Sequence, residues 1–102
     1  MSDLYTINKS PFEKSSLDSA LKFSKAGTNF LLIEDGVYAV VKGTAAEEKI
    51  KAAMGDKKVF ALGPDLAARG IAEDRVIDGV ELVDYAGFVD LVEANDKVQA
   101  WV

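Results

Sequence analysis

Short apolar strand-like runs alternate with helix-like segments along the chain. This predicts an α/β fold: a single-domain three-layer sandwich, residues 1–102, on a mostly parallel five-stranded sheet. Three observations carry the prediction. Capping residues stand where helices should open. A continuous apolar run, Asn29-Phe30-Leu31-Leu32-Ile33, suits a central parallel strand covered on both faces. Helical crossovers separate successive strands, which implies right-handed connections and helices on both faces of the sheet. With 49% hydrophobic residues, 28% charged and two prolines, the chain has the composition of a domain that folds without metal or disulfides.

Each element has its own local signal. Leu4 to Ile7 is the first strand. Ser10-Pro11-Phe12-Glu13 combines an N-cap serine, a proline at the first helical position and a glutamate three residues after the cap, so a helix is expected from there to about Lys25, closed by Gly27. Leu17, Ala20, Leu21 and Ser24 define one stripe of that helix. Phe12 and Phe23, eleven positions or about three turns apart, share another. After the central strand, Glu34-Asp35-Gly36 ends the run and a short helical turn follows over Val37, Val40 and Val41. Thr44-Ala45-Ala46-Glu47 is a second capping box, opening a helix that buries Ala46, Ile50, Ala53 and Met54 and stops at Gly55.

Val59 to Leu62 is the third strand, and Gly63-Pro64-Asp65 starts a short helix that Gly70 terminates. Val80 to Val83 is the fourth strand. Asp84 caps a helix carrying Tyr85, Phe88, Val89 and Val92 at the i, i+3, i+4, i+7 spacing of one apolar face, and Asn95 and Asp96 break it. Val98 to Val102 is the fifth strand.

Charge and residue content exclude several kinds of chemistry. The net charge is -5, with 17 acidic against 12 basic residues, which argues against a surface that coats nucleic-acid phosphates. No apolar run reaches the length of a membrane span, and Met1-Ser2-Asp3-Leu4 lacks the basic and apolar regions of a signal peptide, so a cytoplasmic protein is expected. The chain has no cysteine and no histidine, which removes thiol catalysis, cysteine-ligated zinc and iron–sulfur ligation together. No cofactor is expected: neither a Walker pattern nor G-x-G-x-x-G occurs.

Glu34 and Asp35 form the best acid pair, just beyond the carboxyl end of the central strand, where open α/β sheets place ligands. Two carboxylates there could hold Mg²⁺. The preferred reading is structural, with Asp35 capping the following turn and Glu34 solvated. At Gly63-Pro64-Asp65, the proline removes an anion-binding donor and the aspartate repels, so phosphate binding is not expected. The serines have no histidine to act as base.

The aromatic residues point to association. Phe12 and Phe23 lie off the inward stripe of the first helix and are candidates for contact with another chain, with burial at the edge of the same face as the alternative. Tyr38, off the Val37/Val40/Val41 line, has the same two readings. Trp101, with Gln99, points opposite Val98, Ala100 and Val102 in a period-two strand. It is either an interface anchor or covered by a neighbouring helix. Phe88 is the weakest interface candidate, because its spacing fits the core.

Five runs in order resemble the DsrH/TusB family: Leu4-Tyr5-Thr6-Ile7-Asn8-Lys9-Ser10-Pro11-Phe12, Glu34-Asp35-Gly36-Val37-Tyr38-Ala39, Leu62-Gly63-Pro64-Asp65-Leu66-Ala67-Ala68-Arg69-Gly70, Asp84-Tyr85-Ala86-Gly87-Phe88-Val89 and Gln99-Ala100-Trp101. The Asn-Lys-Ser-Pro-Phe and Gly-Pro-Asp runs are more similar to DsrH. The resemblance implies a flavodoxin-like, DsrE-like domain that is the small subunit of a DsrEFH-type complex, two copies each of three related chains, passing sulfur between cysteines in sulfur-oxidising bacteria. TusBCD has the analogous part in tRNA wobble-uridine 2-thiolation. The implied partners are DsrE/TusD-like and DsrF/TusC-like subunits and, indirectly, a DsrC/TusE-like sulfur acceptor.

In that family the sulfur-accepting cysteine belongs to the DsrE or TusD chain, at a turn that here reads Gly63-Pro64-Asp65. Some DsrH relatives carry a cysteine where this chain has Ala20. The resemblance therefore implies a non-catalytic subunit. Two rivals from other classes are a metal-using enzyme built on Glu34 and Asp35 and a self-associating small ligand-binding module.

Overall fold

The computed structural model describes residues 2–102. Its five strands are β1 (Asp3–Ile7), β2 (Asn29–Leu32), β3 (Lys58–Leu62), β4 (Glu81–Val83) and β5 (Lys97–Trp101), in the spatial order β4-β3-β2-β1-β5. All four pairings are parallel. The Asn29–Leu32 run is the middle strand, as its unbroken apolar character requires: Phe30, Leu31 and Leu32 are almost fully buried.

The order explains how the helices divide. From β1 to β4 the chain steps across the sheet in one direction, so right-handed crossovers place α1 (Ser16–Phe23), a 3₁₀ segment (Glu34–Val40), α2 (Glu47–Ala53) and α3 (Gly63–Ala68) on one face. Their Leu17, Ala20, Val37, Val40, Ile50 and Leu66 meet Tyr5, Ile7, Phe30, Leu32, Val59 and Ala61 in the main core. The last crossover runs back across the whole sheet and, with the same hand, lies on the other face. There α4 (Tyr85–Ala94) stands alone, its Phe88 and Leu91 against Leu4, Leu31 and Phe60.

Several boundaries depart from the sequence expectation. The first helix opens at Ser16 rather than after Ser10. Ser10 Oγ does accept from the Phe12 N–H at 3.2 Å, and the Ser10 carbonyl accepts from Glu13 and Lys14, but this makes one isolated turn. A helix continuous from Pro11 would carry Phe12 about 140° around the axis from Leu17, away from the sheet. The break therefore removes Phe12 from any line shared with Phe23. Gly27, at φ +88, closes the loop after α1 rather than the helix end itself. β4 starts one residue later than expected, and β5 spans Lys97–Trp101 rather than Val98–Val102. A further segment, Ile71 to Ile77, carries a 3₁₀ turn at Glu73–Arg75 and buries Val76 and Ile77 in the main core.

The two later caps hold better. Thr44 Oγ1 accepts from the Ala46 N–H and the Glu47 carboxylate accepts from the Gly43 N–H at 2.6 Å, a capping box displaced by one residue. Asp84 Oδ1 accepts from the Gly87 N–H at 2.8 Å, as expected at an N-cap.

Candidate functional site

The acid pair at the end of β2 does not form an open carboxylate site. Glu34 sits at φ +48, and its N–H donates to Asp65 Oδ2 at 2.6 Å. Asp35 does not cap the following turn, contrary to the preferred sequence reading. Its Oδ1 instead accepts from Arg69 Nε at 3.0 Å and Nη2 at 2.9 Å, because α3 brings the guanidinium across the loop. Asp65 and Arg69 thus strap α3 to the Glu34–Val40 segment, and a metal at Asp35 would have to compete with a cation already in place. Among the described residues no group of three Asp or Glu side chains is placed to share a metal ion.

The turn at Gly63-Pro64-Asp65 borders a cavity of about 440 Å³, lined also by Glu73, Leu82, Val83, Asp84 and Gly87. Its ionisable lining is acidic and contains no nucleophile. Ala20 is fully buried on the inward face of α1, so that position faces the core rather than a partner.

The aromatic candidates separate into three places. Phe12 (54% exposed) and Tyr38 (36%) meet at an open cavity of about 270 Å³, lined also by Val41, Thr44, Ile71, Arg69 and Arg75, the only two arginines of the chain. Phe23 and Trp101 meet at the β5 edge. Their rings stack at 6.0 Å, and Trp101 lies 5.5 Å from Tyr5, itself 5.6 Å from Phe30. This aromatic series runs from the centre of the core to Phe23, which is 65% exposed. Trp101 is half-buried among these rings, and its Nε1 is buried without an acceptor. Phe88 points inward, packed against the Leu4/Leu31/Phe60 cluster.

Around Phe88, the rest of α4 departs from the periodicity. The expected buried face of α4, Tyr85, Phe88, Val89 and Val92, is split: Phe88 and Leu91 meet the sheet, while Tyr85, Val89 and Val92 are exposed. The available signal was that only Asp90 and Glu93 interrupt an otherwise apolar or small helix, leaving no single polar face to fix its rotation.

The family model described as "DsrH like protein" matches residues 9–98. Protein TusB of Escherichia coli K12 is 34% identical over 98 residues, covering 96% of this chain and 99% of its own. The chain belongs to the DsrH/TusB family. Protein TusB of Photorhabdus laumondii is 32% identical over the same span, 96% of this chain and 99% of its own. In fold, this DsrH/TusB chain is similar to the ychN protein from E. coli, at a TM-score of 0.81 and 20% identity over 98% of this chain and 99% of that one.

The Gly43 N–H and the Lys51 ammonium hold the Glu47 carboxyl below the usual carboxylate range, and Glu47 in turn holds Lys51 above its ordinary value. Glu47 stands in the first turn of α2 and Lys51 in the last, an i,i+4 pair at 2.8 Å. No helix among the described residues is long and apolar enough to cross a membrane.

Proposed function

We propose that this chain is a non-catalytic structural subunit of a cytoplasmic sulfur-relay complex of the DsrEFH type, acting in dissimilatory sulfur oxidation. It docks DsrE-like and DsrF-like chains and positions the persulfide-bearing cysteine of the former. The single observation that carries this reading is that a member of the DsrH/TusB family contains no thiol at all. Persulfide transfer needs a thiolate nucleophile, so the chemistry has to reside in a partner. What this chain offers instead is exposed aromatic surface, the residue type that anchors interfaces.

Phe12, Phe23, Tyr38, Phe88 and Trp101 are the candidate contacts of an α2β2γ2 assembly that delivers sulfur to a DsrC/TusE-like acceptor. Phe12, Tyr38 and Phe23 present free ring surface, whereas Trp101 and Phe88 contribute from half-buried positions. The test is co-expression with the DsrE-like and DsrF-like chains of the same organism, followed by size-exclusion chromatography with light scattering. One stable complex of equal stoichiometry is expected. A chain that elutes alone would sink the reading and return the self-associating binding module to first place.

The relatives named TusB favour a second branch, in which the same docking subunit serves tRNA wobble-uridine 2-thiolation. Deleting the gene and measuring 2-thiouridine in bulk tRNA separates the branches. Loss of the modified base supports the TusB-like role, and an unchanged level with impaired sulfur oxidation supports the DsrH-like one.

A further inference from the structure

Acidic charge is distributed unevenly along this chain. Residues 1–80 contain twelve acids and eleven cations, whereas residues 81–102 contain five acids (Glu81, Asp84, Asp90, Glu93 and Asp96) and one cation, Lys97. None of the ion pairs among the described residues involves the second group. Nearly all the net charge of -5 therefore lies on β4, α4 and β5.

The same stretch exposes apolar surface. Tyr85 is 62% exposed, Val89 55%, Val92 37% and Val98 47%. On the helix Tyr85, Val89 and Val92 form a flank about 100° around from the Phe88–Leu91 stripe; Glu93 borders it on the solvent side, and Asp90 lies beyond, turned away from it. The direction of that flank follows from handedness. α4 descends antiparallel to the strands from the end of β4 to the start of β5, and a right-handed helix descending on this face turns the flank toward β5. There the register sets Val98 beside Leu4 and Ala100 beside Thr6, on the side of the sheet that α4 covers. Both β5 residues are nevertheless exposed, since α4 is centred over β2 and covers Leu4, Leu31 and Phe60 of β1, β2 and β3 but not β5. The α4 flank and the β5 face are thus the wall and floor of one apolar shelf.

We infer that this shelf receives a helix from a different subunit, with an apolar stripe bordered by Lys or Arg. Its width suits a helix: β5 lies two strand spacings from β2, about 10 Å, which is an ordinary distance between packed helices. Charge selects the occupant. A second copy docking by two-fold symmetry would lay this acidic stretch, five acids against the single cation Lys97, on itself. A basic-rimmed helix meets the apolar wall and Glu93 together.

The inference rests on the docking reading above and specifies the surface and partner chemistry it uses. The test takes the co-expressed complex with the DsrE-like and DsrF-like chains and compares wild type with Val89→Asp and with Glu93→Lys. Affinity is measured at low and high salt, and hydrogen exchange is measured on the wild-type assembly. Val89→Asp should weaken assembly by at least ~30-fold without moving the melting temperature of the isolated chain. The charge reversal at Glu93 should weaken assembly and flatten its salt dependence, and α4 and β5 should gain protection in the wild-type complex. A wild-type complex that tolerates Val89→Asp, or that protects only the Phe12–Tyr38 region, overturns this surface while leaving the docking role standing. Failure of the wild-type chain to assemble overturns both. An isolated chain that dimerises and loses the dimer on Val89→Asp assigns the shelf to a second copy and overturns the inference.

Discussion

On one face of the sheet, α1, α2, α3 and two 3₁₀ turns cover the strands, and the core there includes side chains from every crossover between β1 and β4. On the other face α4 works alone; it has no fully buried residue, and its Phe88 and Leu91 are only half-covered. The first face has the closed packing of a domain interior. The second has the composition of a core helix and the exposure of a surface, the arrangement expected of a face completed by another chain. The contrast sets a closed core face against an open one on opposite sides of one sheet.

Mutations on the two faces can break that contrast. The largest effect is expected at the heavily covered face, where Leu17→Ala or Ile50→Ala removes a side chain that is 1% exposed; each should lower unfolding free energy by about 2–5 kcal/mol in urea titration. Gly36→Ala should follow. The Glu34–Val40 segment crosses so close to β1 that an added Cβ would overlap the Ile7 carbonyl, and a backbone atom cannot turn aside; a loss of about 1–3 kcal/mol is expected. On the α4 face, Leu91→Ala should cost only about 1–2 kcal/mol, since part of its surface is already wet. Equal losses at Leu91 and Ile50 would mean that the two faces are equally built.

Smaller effects sharpen the same comparison. Tyr85→Ser and Val89→Ser should shift stability by no more than about 0.5 kcal/mol, because neither side chain is covered in the isolated chain. Near-neutrality in the free chain together with loss of assembly would assign these residues to the interface alone. Glu47→Gln on α2 should have the smallest effect, and it should depend on pH. The carboxyl is held low in the folded chain by Gly43 and Lys51, so its contribution is present above the unfolded carboxylate range and fades as pH falls through the lower folded value. Melting curves of the two proteins should differ slightly near neutrality and converge in acid.

Much of this architecture was legible without coordinates. The unbroken apolar character of Asn29–Ile33 placed β2 at the centre, Asp84 announced α4, and Pro64 and Gly70 bounded α3. The absence of cysteine excludes thiol chemistry by this chain on residue content alone. Capping signals were less reliable where a short turn could satisfy them, as at Ser10, whose carbonyl and hydroxyl bonds support one turn and no helix. The Arg69–Asp35 pair joins residues 34 positions apart and has no local signature.

What sequence alone determined is the set of elements and their order, because strand period, helix caps and glycine turns act over a few residues. The faces were decided by tertiary structure. Inserting β5 beside β1 instead of beyond β4 sends the last right-handed crossover to the opposite side of the sheet, where α4 finds no second helix to pack against. Its apolar positions then divide between sheet and solvent. Periodicity gives the rotation of a helix only when one polar stripe opposes one apolar stripe, and α4, apolar around most of its circumference, took its rotation from the Leu4, Leu31 and Phe60 surface on which it landed.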